Sequence, residues 1–184
     1  AARKVNKVVY NVLTSNPNMA DGTALFHSDH SNLATGGDAA ALSTTTLGTA
    51  RTAMRLQTGL AGEVLNIAPK FLLIPAALEE TADVLLESNG STEDSKNSGV
   101  INPWYGKLEK VVEPILDSDS STAFYLAADP GPYQTVEVAF LNGKEQPYTE
   151  TQQGFEVDAL KFKVRMEFGA KAIDYRTLYK NPGA

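Results

Sequence analysis

An α+β fold of mixed helices and antiparallel sheets is what the sequence predicts, on three observations. Apolar residues at helical spacing fall in the first half of the chain, where Val5, Val8, Val9, Val12 and Leu13 make one stripe. Strict alternation falls in the second half, where Leu160, Phe162, Val164, Met166 and Phe168 interleave with Lys161, Lys163, Arg165 and Glu167. Between them there is no βαβ alternation of the kind that builds a doubly wound sheet.

In chain order, residues 3 to 14 read as an amphipathic helix ended by Asn16-Pro17, because the residue before a proline is pushed out of helical conformation. Residues 16 to 42 are rich in Asn, Asp, Ser and Gly and read as a long structured loop. Ser43 can cap a helix from about 44 to 58, with Leu47, Ala50 and Met54 inward and Gly59 near its end. The run "KFLLI" at 70 to 74 suits a buried strand. Pro75 then suits a first helical position, followed by Glu79 and Glu80 early, a stripe of Leu78, Ala82, Leu85 and Leu86, and Asn89-Gly90 as a stop. "SNGSTEDSKNSG" at 88 to 99 reads as an exposed polar loop. Strand composition follows at 108 to 116 and 123 to 128. Asn142-Gly143 then lies between a strong strand and a weaker one, which Pro147 demotes to an edge or a bulge. The alternating run 160 to 168 is expected to be half-buried, one face on a core and the other wet.

Composition narrows the function classes. A chain of 184 residues suits one domain, or a domain with a lobe, burying roughly 70% of its unfolded surface. The formal charge of −6 and the lack of any basic run argue against a grip on nucleic acid, which needs clustered Lys and Arg. Zero cysteines exclude a disulfide framework, a cysteine nucleophile and thiolate metal sites. The longest apolar run, "FLLIPAAL", is far too short to span a bilayer, and no signal-peptide pattern is seen. The opening "AARKVNKVVY" has no initiator methionine, so the chain is read as a piece of a longer protein.

Chemistry-bearing motifs are sparse. Both histidines lie in "ALFHSDHSN", residues 24 to 32, so His27, Asp29 and His30 are the one candidate metal set and carry the alternative reading of a metal-dependent hydrolase. That set is incomplete, because a closed zinc site takes four ligands and a catalytic one three, and any further ligand would have to be a carboxylate. The competing reading is a pair of polar histidines anchoring an irregular segment by hydrogen bonds. No Rossmann or Walker glycine pattern and no Gly-x-Ser-x-Gly elbow is present. "ESNGSTEDS" has carboxylates for calcium but not the spacing of an EF-hand loop. Trp104-Tyr105 in "NPWYGK" suits either an interface anchor or local packing, and Tyr175 and Tyr179 are expected to dock the C-terminal tail on the chain's own core. No catalytic, cofactor-binding or metal residue and no cofactor is therefore assigned.

Several stretches together resemble a known family: "ADGTALFHSDHSNLA", "APKFLLIPAALEETADVLLES", "GVINPWYGKLEKVVEPIL" and "KFKVRMEFGAKAIDYRTLYKNPG" look like the major capsid (head) proteins of tailed bacteriophages, near the group fused to a prohead protease. The phage Mu-type head subunit is a more distant likeness. The resemblance implies a Hong Kong 97-like fold with peripheral and axial lobes. On that analogy residues 1 to 58 and 145 to 184 are peripheral-like and residues 59 to 144 axial-like. It also implies an N-terminal arm, an extended hairpin and any protease nucleophile upstream of Ala1, so no catalytic residue carries over.

The function implied is that of a non-enzymatic subunit, self-assembling into an icosahedral head that encloses DNA, with the virion as its location and the bacterial host cytoplasm as its place of assembly. Its partners would be copies of itself, with scaffold or portal proteins besides, and neither sequence-specific nucleic acid nor membrane. A phage tail-tube or assembly protein is the further alternative. The fragment itself is expected to be a monomer or weak oligomer.

Overall fold

The computed structural model of the chain describes residues 2–88, 101–154 and 159–183. Among the described residues, three α-helices and eight β-strands alternate with short 3-10 turns, an α+β fold as the sequence predicts. The expected polar loop at 88 to 99, with its calcium question and the Asn89-Gly90 stop, lies outside the described residues from Asn89 onward.

Helix α1 spans Ala2–Ser15. Asn16 ends it with a left-handed φ of 47°, a conformation asparagine tolerates, and its side chain then clasps the backbone of Phe26. Oδ1 accepts from Phe26 N at 2.7 Å and Nδ2 donates to Phe26 O at 3.1 Å, closing the loop and burying Leu25 and Phe26. Helix α2, Thr44–Arg55, begins on the expected cap: Ser43 Oγ accepts from Thr46 N while Thr46 Oγ1 accepts from Ser43 N, a capping box. It stops three residues before the expected 58, because Gln57 turns the chain. The Gln57 carbonyl accepts from Leu65 N at 2.9 Å and its amide donates to His30 O at 2.8 Å.

The main sheet has the order β2-β1-β3-β8, formed by Glu109–Val112, Pro69–Ile74, Phe124–Ala128 and Leu178–Asn181. Strand β1 pairs antiparallel with β3 and β3 with β8, but β1 and β2 are parallel. The expectation of antiparallel strands alone is therefore corrected: α3, Glu79–Glu87, crosses between two parallel neighbours as one βαβ unit. Helix α3 does not start at Pro75. Ala76–Leu78 form a 3-10 turn whose Ala76 and Ala77 amides donate to the Asp117 carboxylate at 2.7 and 3.2 Å, and the α-helix follows. The strand expected over 108 to 116 is shortened by Pro114, after which Leu116–Ser118 make another 3-10 turn.

Alternation along β1 and β3 splits the core into two layers. Leu72, Ile74, Phe124, Leu126 and Ala128 face α2 and α3 together with Trp104 and Tyr179. Tyr125, Ala127 and Leu178 face α1 residues Val12 and Leu13 and the Leu25-Phe26 turn. Both interior strands are thus covered on both sides, which is why β3 reads as an unbroken apolar run with all five residues buried.

The second half departs most from expectation. Strand β4, Val136–Phe140, pairs with β7, Phe168–Ala172, and β5, Tyr148–Gln153, pairs with β6, Leu160–Arg165, both antiparallel. These are the outer and inner parts of one long hairpin. Asn142 and Gly143 do adopt positive φ angles of 54° and 67°, as a tight turn requires, but they sit in an insertion between β4 and β5 and do not join them as a pair. The expected half-buried strand at 160 to 168 is two strands, and β6 is exposed along its whole length. Helix α1 packs on β7 and β4 at the root of the hairpin.

Candidate functional site

The histidine loop is a clasp of hydrogen bonds. His30 is buried, in a 3-10 turn Ser28–His30 that ends on Ser31 with a left-handed φ of 52°. Its Nδ1 lies 3.2 Å from Leu25 O and its Nε2 lies 2.7 Å from Asp21 Oδ2, so both ring nitrogens are engaged within the chain. Its ring stacks on Tyr175 with centroids 3.8 Å apart and planes within 5°. The bond from His30 is the first cause, ahead of the Thr23 amide, that holds the Asp21 carboxyl below its ordinary range.

His27 and Asp29 do not join His30. The His27 Nδ1 accepts from the Asp29 backbone amide at 3.2 Å, and its ring centroid is 6.5 Å from that of His30. Among the described residues no group of three or more His, Asp or Glu is arranged to hold a metal ion. The structure therefore places the candidate set in one loop without bringing it together as ligands.

Asn32 and Gln57, which the sequence did not single out, complete this clasp. Asn32 is fully buried; its amide donates to Leu25 O at 2.7 Å and Tyr175 O at 3.2 Å, and its oxygen accepts from His27 N at 3.1 Å. A cavity of about 520 Å³ lies beside it, bordered by Asp21, Asp174 and Arg176. Arg176 is committed to the Asp174 carboxylate at 3.3 Å and to Thr58 O at 2.8 Å, so the polar groups there satisfy one another. Trp104 is a packing anchor and not an exposed one: it is 1% exposed, donates from Nε1 to Thr44 O at 3.1 Å and lies under the Arg51 guanidinium at 4.3 Å.

The β5–β6 ribbon is exposed along both of its strands. Its register puts Thr149 opposite Val164, Thr151 opposite Phe162 and Gln153 opposite Leu160 on one face. Tyr148 opposite Arg165, Glu150 opposite Lys163 and Gln152 opposite Lys161 make the other. The charged face is largely settled within the ribbon, with Lys163 Nζ 3.2 Å from Glu150 and the Arg165 guanidinium 5.8 Å from the Tyr148 ring. The apolar face is open: Leu160, Phe162 and Val164 are 56%, 73% and 64% exposed. Full burial of each such side chain would be worth about 1.5–3 kcal/mol, and among the described residues nothing covers this face. Sequence reasoning assigned this face to an internal core. The missing signal was on β5, where "YTETQQ" offers no apolar alternation that a buried ribbon would share.

Among the described residues, no helix is long and apolar enough to cross a membrane. None of the curated proteins matches the chain. A family model described as phage capsid protein matches residues 1–181.

Proposed function

The chain belongs to the phage capsid protein family, a structural component of the virion, and from that premise we propose that it self-assembles, through copies of itself, into the icosahedral head that encloses phage DNA. The observation that carries the assembly step is the open apolar face of the β5–β6 ribbon, with Phe162 at its centre. A lone two-stranded ribbon is marginal in water, and a neighbouring copy is the cover that a shell supplies.

The Hong Kong 97-type architecture and kinship with the protease-fused head proteins belong to the same proposal. Two features support the architecture: a mixed sheet flanked by α2 and α3, and a separate long hairpin with α1 at its root. In this reading residues 1 to 58 and 145 to 184 are peripheral-like and residues 59 to 144 axial-like. Helix α2 and strand β8, which pack with α3 and the sheet, and strand β4, which pairs with β7, have their partners across that division and would form the seam between them. Scaffold or portal proteins as partners, and assembly in the host cytoplasm, complete it.

Electron microscopy of the full-length gene product tests the reading: closed shells are expected, and tubes or dispersed monomers overturn it. Phe162→Glu is expected to abolish shells while leaving the thermal midpoint of the subunit within about 2 °C, since an exposed substitution of this kind changes stability by about 0.5 kcal/mol or less. Shells formed as efficiently by the variant would remove the ribbon from the contact.

A further inference from the structure

Each ring nitrogen of His30 faces an oxygen, in a site where only 4% of the side chain is exposed. Nδ1 lies 3.2 Å from Leu25 O, a carbonyl that can only accept. Nε2 lies 2.7 Å from Asp21 Oδ2, and the other oxygen of that carboxylate accepts from Thr23 N at 2.9 Å, as an ionised group does. A neutral imidazole has one N–H, so it would leave one of these pairs as two facing lone pairs. Leu25 O has a second donor in Asn32 Nδ2 at 2.7 Å, so the group left without a partner would be the buried Nδ1.

The other groups around the ring suit a cation. Tyr175, from the 3-10 turn Tyr175–Thr177, stacks on it and offers its π face. On the same loop the His27 ring stands edge-on with its centroid 6.5 Å away, and the Asp29 carboxylate lies beyond, 3.5 Å from His27 Nδ1. From the end of α2, Gln57 brings a neutral amide to the His30 carbonyl. The Arg176 guanidinium, 4.8 Å from the Tyr175 centroid, is paired with Asp174 at 3.3 Å. Among the described residues Asp21 is the one charged side chain hydrogen-bonded to the ring, and its sign is that of a partner for a buried cation.

We propose that His30 is an imidazolium in the folded chain and that the clasp is a proton-dependent latch, closed while both ring nitrogens carry hydrogen and loosened as the second proton leaves at alkaline pH. Loss of that proton removes both the bond to Leu25 O and the charge attraction to Asp21. The latch holds the loop against Tyr175 and, through Lys180 N donating to Asn32 O and Ala34 N donating to Lys180 O, against the outer edge of β8. Asp21 and Tyr175 also line the cavity of about 520 Å³, which leaves the loosened loop room to move. The unfolded chain gives up the histidine proton near the ordinary value of about 6.5. The stability supplied by the latch is therefore fully present below that value and is lost as the pH rises, until the folded ring too gives up its proton.

Ring-nitrogen chemical shifts report the hydrogens directly. In His27→Asn, which keeps an acceptor for the Asp29 amide at that cap, long-range 1H–15N spectra of the full chain at about pH 7.5 are expected to show hydrogen on both nitrogens of the one remaining histidine. A single protonated nitrogen there overturns the proposal. Should that variant not fold, the same spectrum of wild type decides, on the ring identified by its contacts to Tyr175. The excess of wild type over His30→Gln in denaturant midpoint is expected to shrink from about pH 6.5 to about pH 9, and a constant gap overturns the latch. Amide exchange at Ala34 and Lys180, corrected for intrinsic base catalysis, is expected to quicken over that range more than exchange in β3. Exchange that keeps step with β3 overturns it as well, with no variant needed.

Discussion

Single residues settle what the histidine loop is. In His27-x-x-His30 the spacing alone admits a ligand pair, yet backbone geometry turns the two rings to different partners, and His30 becomes the centre of a clasp that joins residues 16 to 32 to Gln57 and Tyr175. Its carboxylate partner gives a pH dependence. Because the folded Asp21 carboxyl is held below its ordinary value of 3.8, the stability it contributes is present above that value and is lost as the pH falls through the lowered one. Wild type is therefore expected to exceed Asp21→Asn in denaturant midpoint near neutrality, with the gap narrowing below about pH 4. A gap that stays constant to about pH 2.5 would show that the Asp21–His30 bond is not formed. Trp104 contributes through volume and one hydrogen bond. Trp104→Ala is expected to cost about 3–5 kcal/mol in urea unfolding followed by circular dichroism, since its fluorescence is lost with it.

At the scale of elements, local chemistry and pairing partners have different authority. Helix α2 starts where its capping box says, and removing the Ser43 hydroxyl by Ser43→Ala is expected to lower stability by about 1 kcal/mol, read as a shift in denaturant midpoint at unchanged slope. Its end was less legible, because Gln57 is pulled out of the helix by a carbonyl 27 residues away in sequence. Asn142-Gly143 shows the same limit: the dipeptide turns the chain with the backbone angles its composition implies, but β4 and β5 find other partners, and no local signal names them. The βαβ unit was hidden in the same way. "KFLLI" and "EKVV" are equally good parallel or antiparallel strands, and only the path of α3 between them fixes the direction.

For the whole molecule, the two-layered core around β1 and β3 and the open hairpin differ in how they are stabilised. The sheet is covered on both faces by the chain's own helices, whereas the ribbon's hydrogen bonds stand in water. Amide exchange of the unassembled chain is accordingly expected to be slow in β3 and fast in β5 and β6, with the ribbon amides becoming protected on assembly. Ribbon amides as slow as those of β3 before assembly would show that the ribbon is already covered. The buried apolar clusters lie around the sheet, while Leu160, Phe162 and Val164 of the ribbon stay exposed.

The sequence by itself determined the α+β class, the three helices with their inward stripes, the buried character of β1 and β3 and the anchoring of the C-terminal tyrosines, because each depends on periodicity, capping or burial that is encoded within a few residues. It also supported the likeness to phage capsid proteins, which the match over residues 1–181 bears out. Only the tertiary structure decided that β2 runs parallel to β1, that β4 pairs with β7, that His30 is spent on Asp21 and Leu25, and that Phe162 faces outward. The physical reason is contact with distant segments, and Phe162 shows it most directly. An alternating strand states that one face must leave water, but whether its own chain or another copy provides the cover is decided by which distant segments reach it.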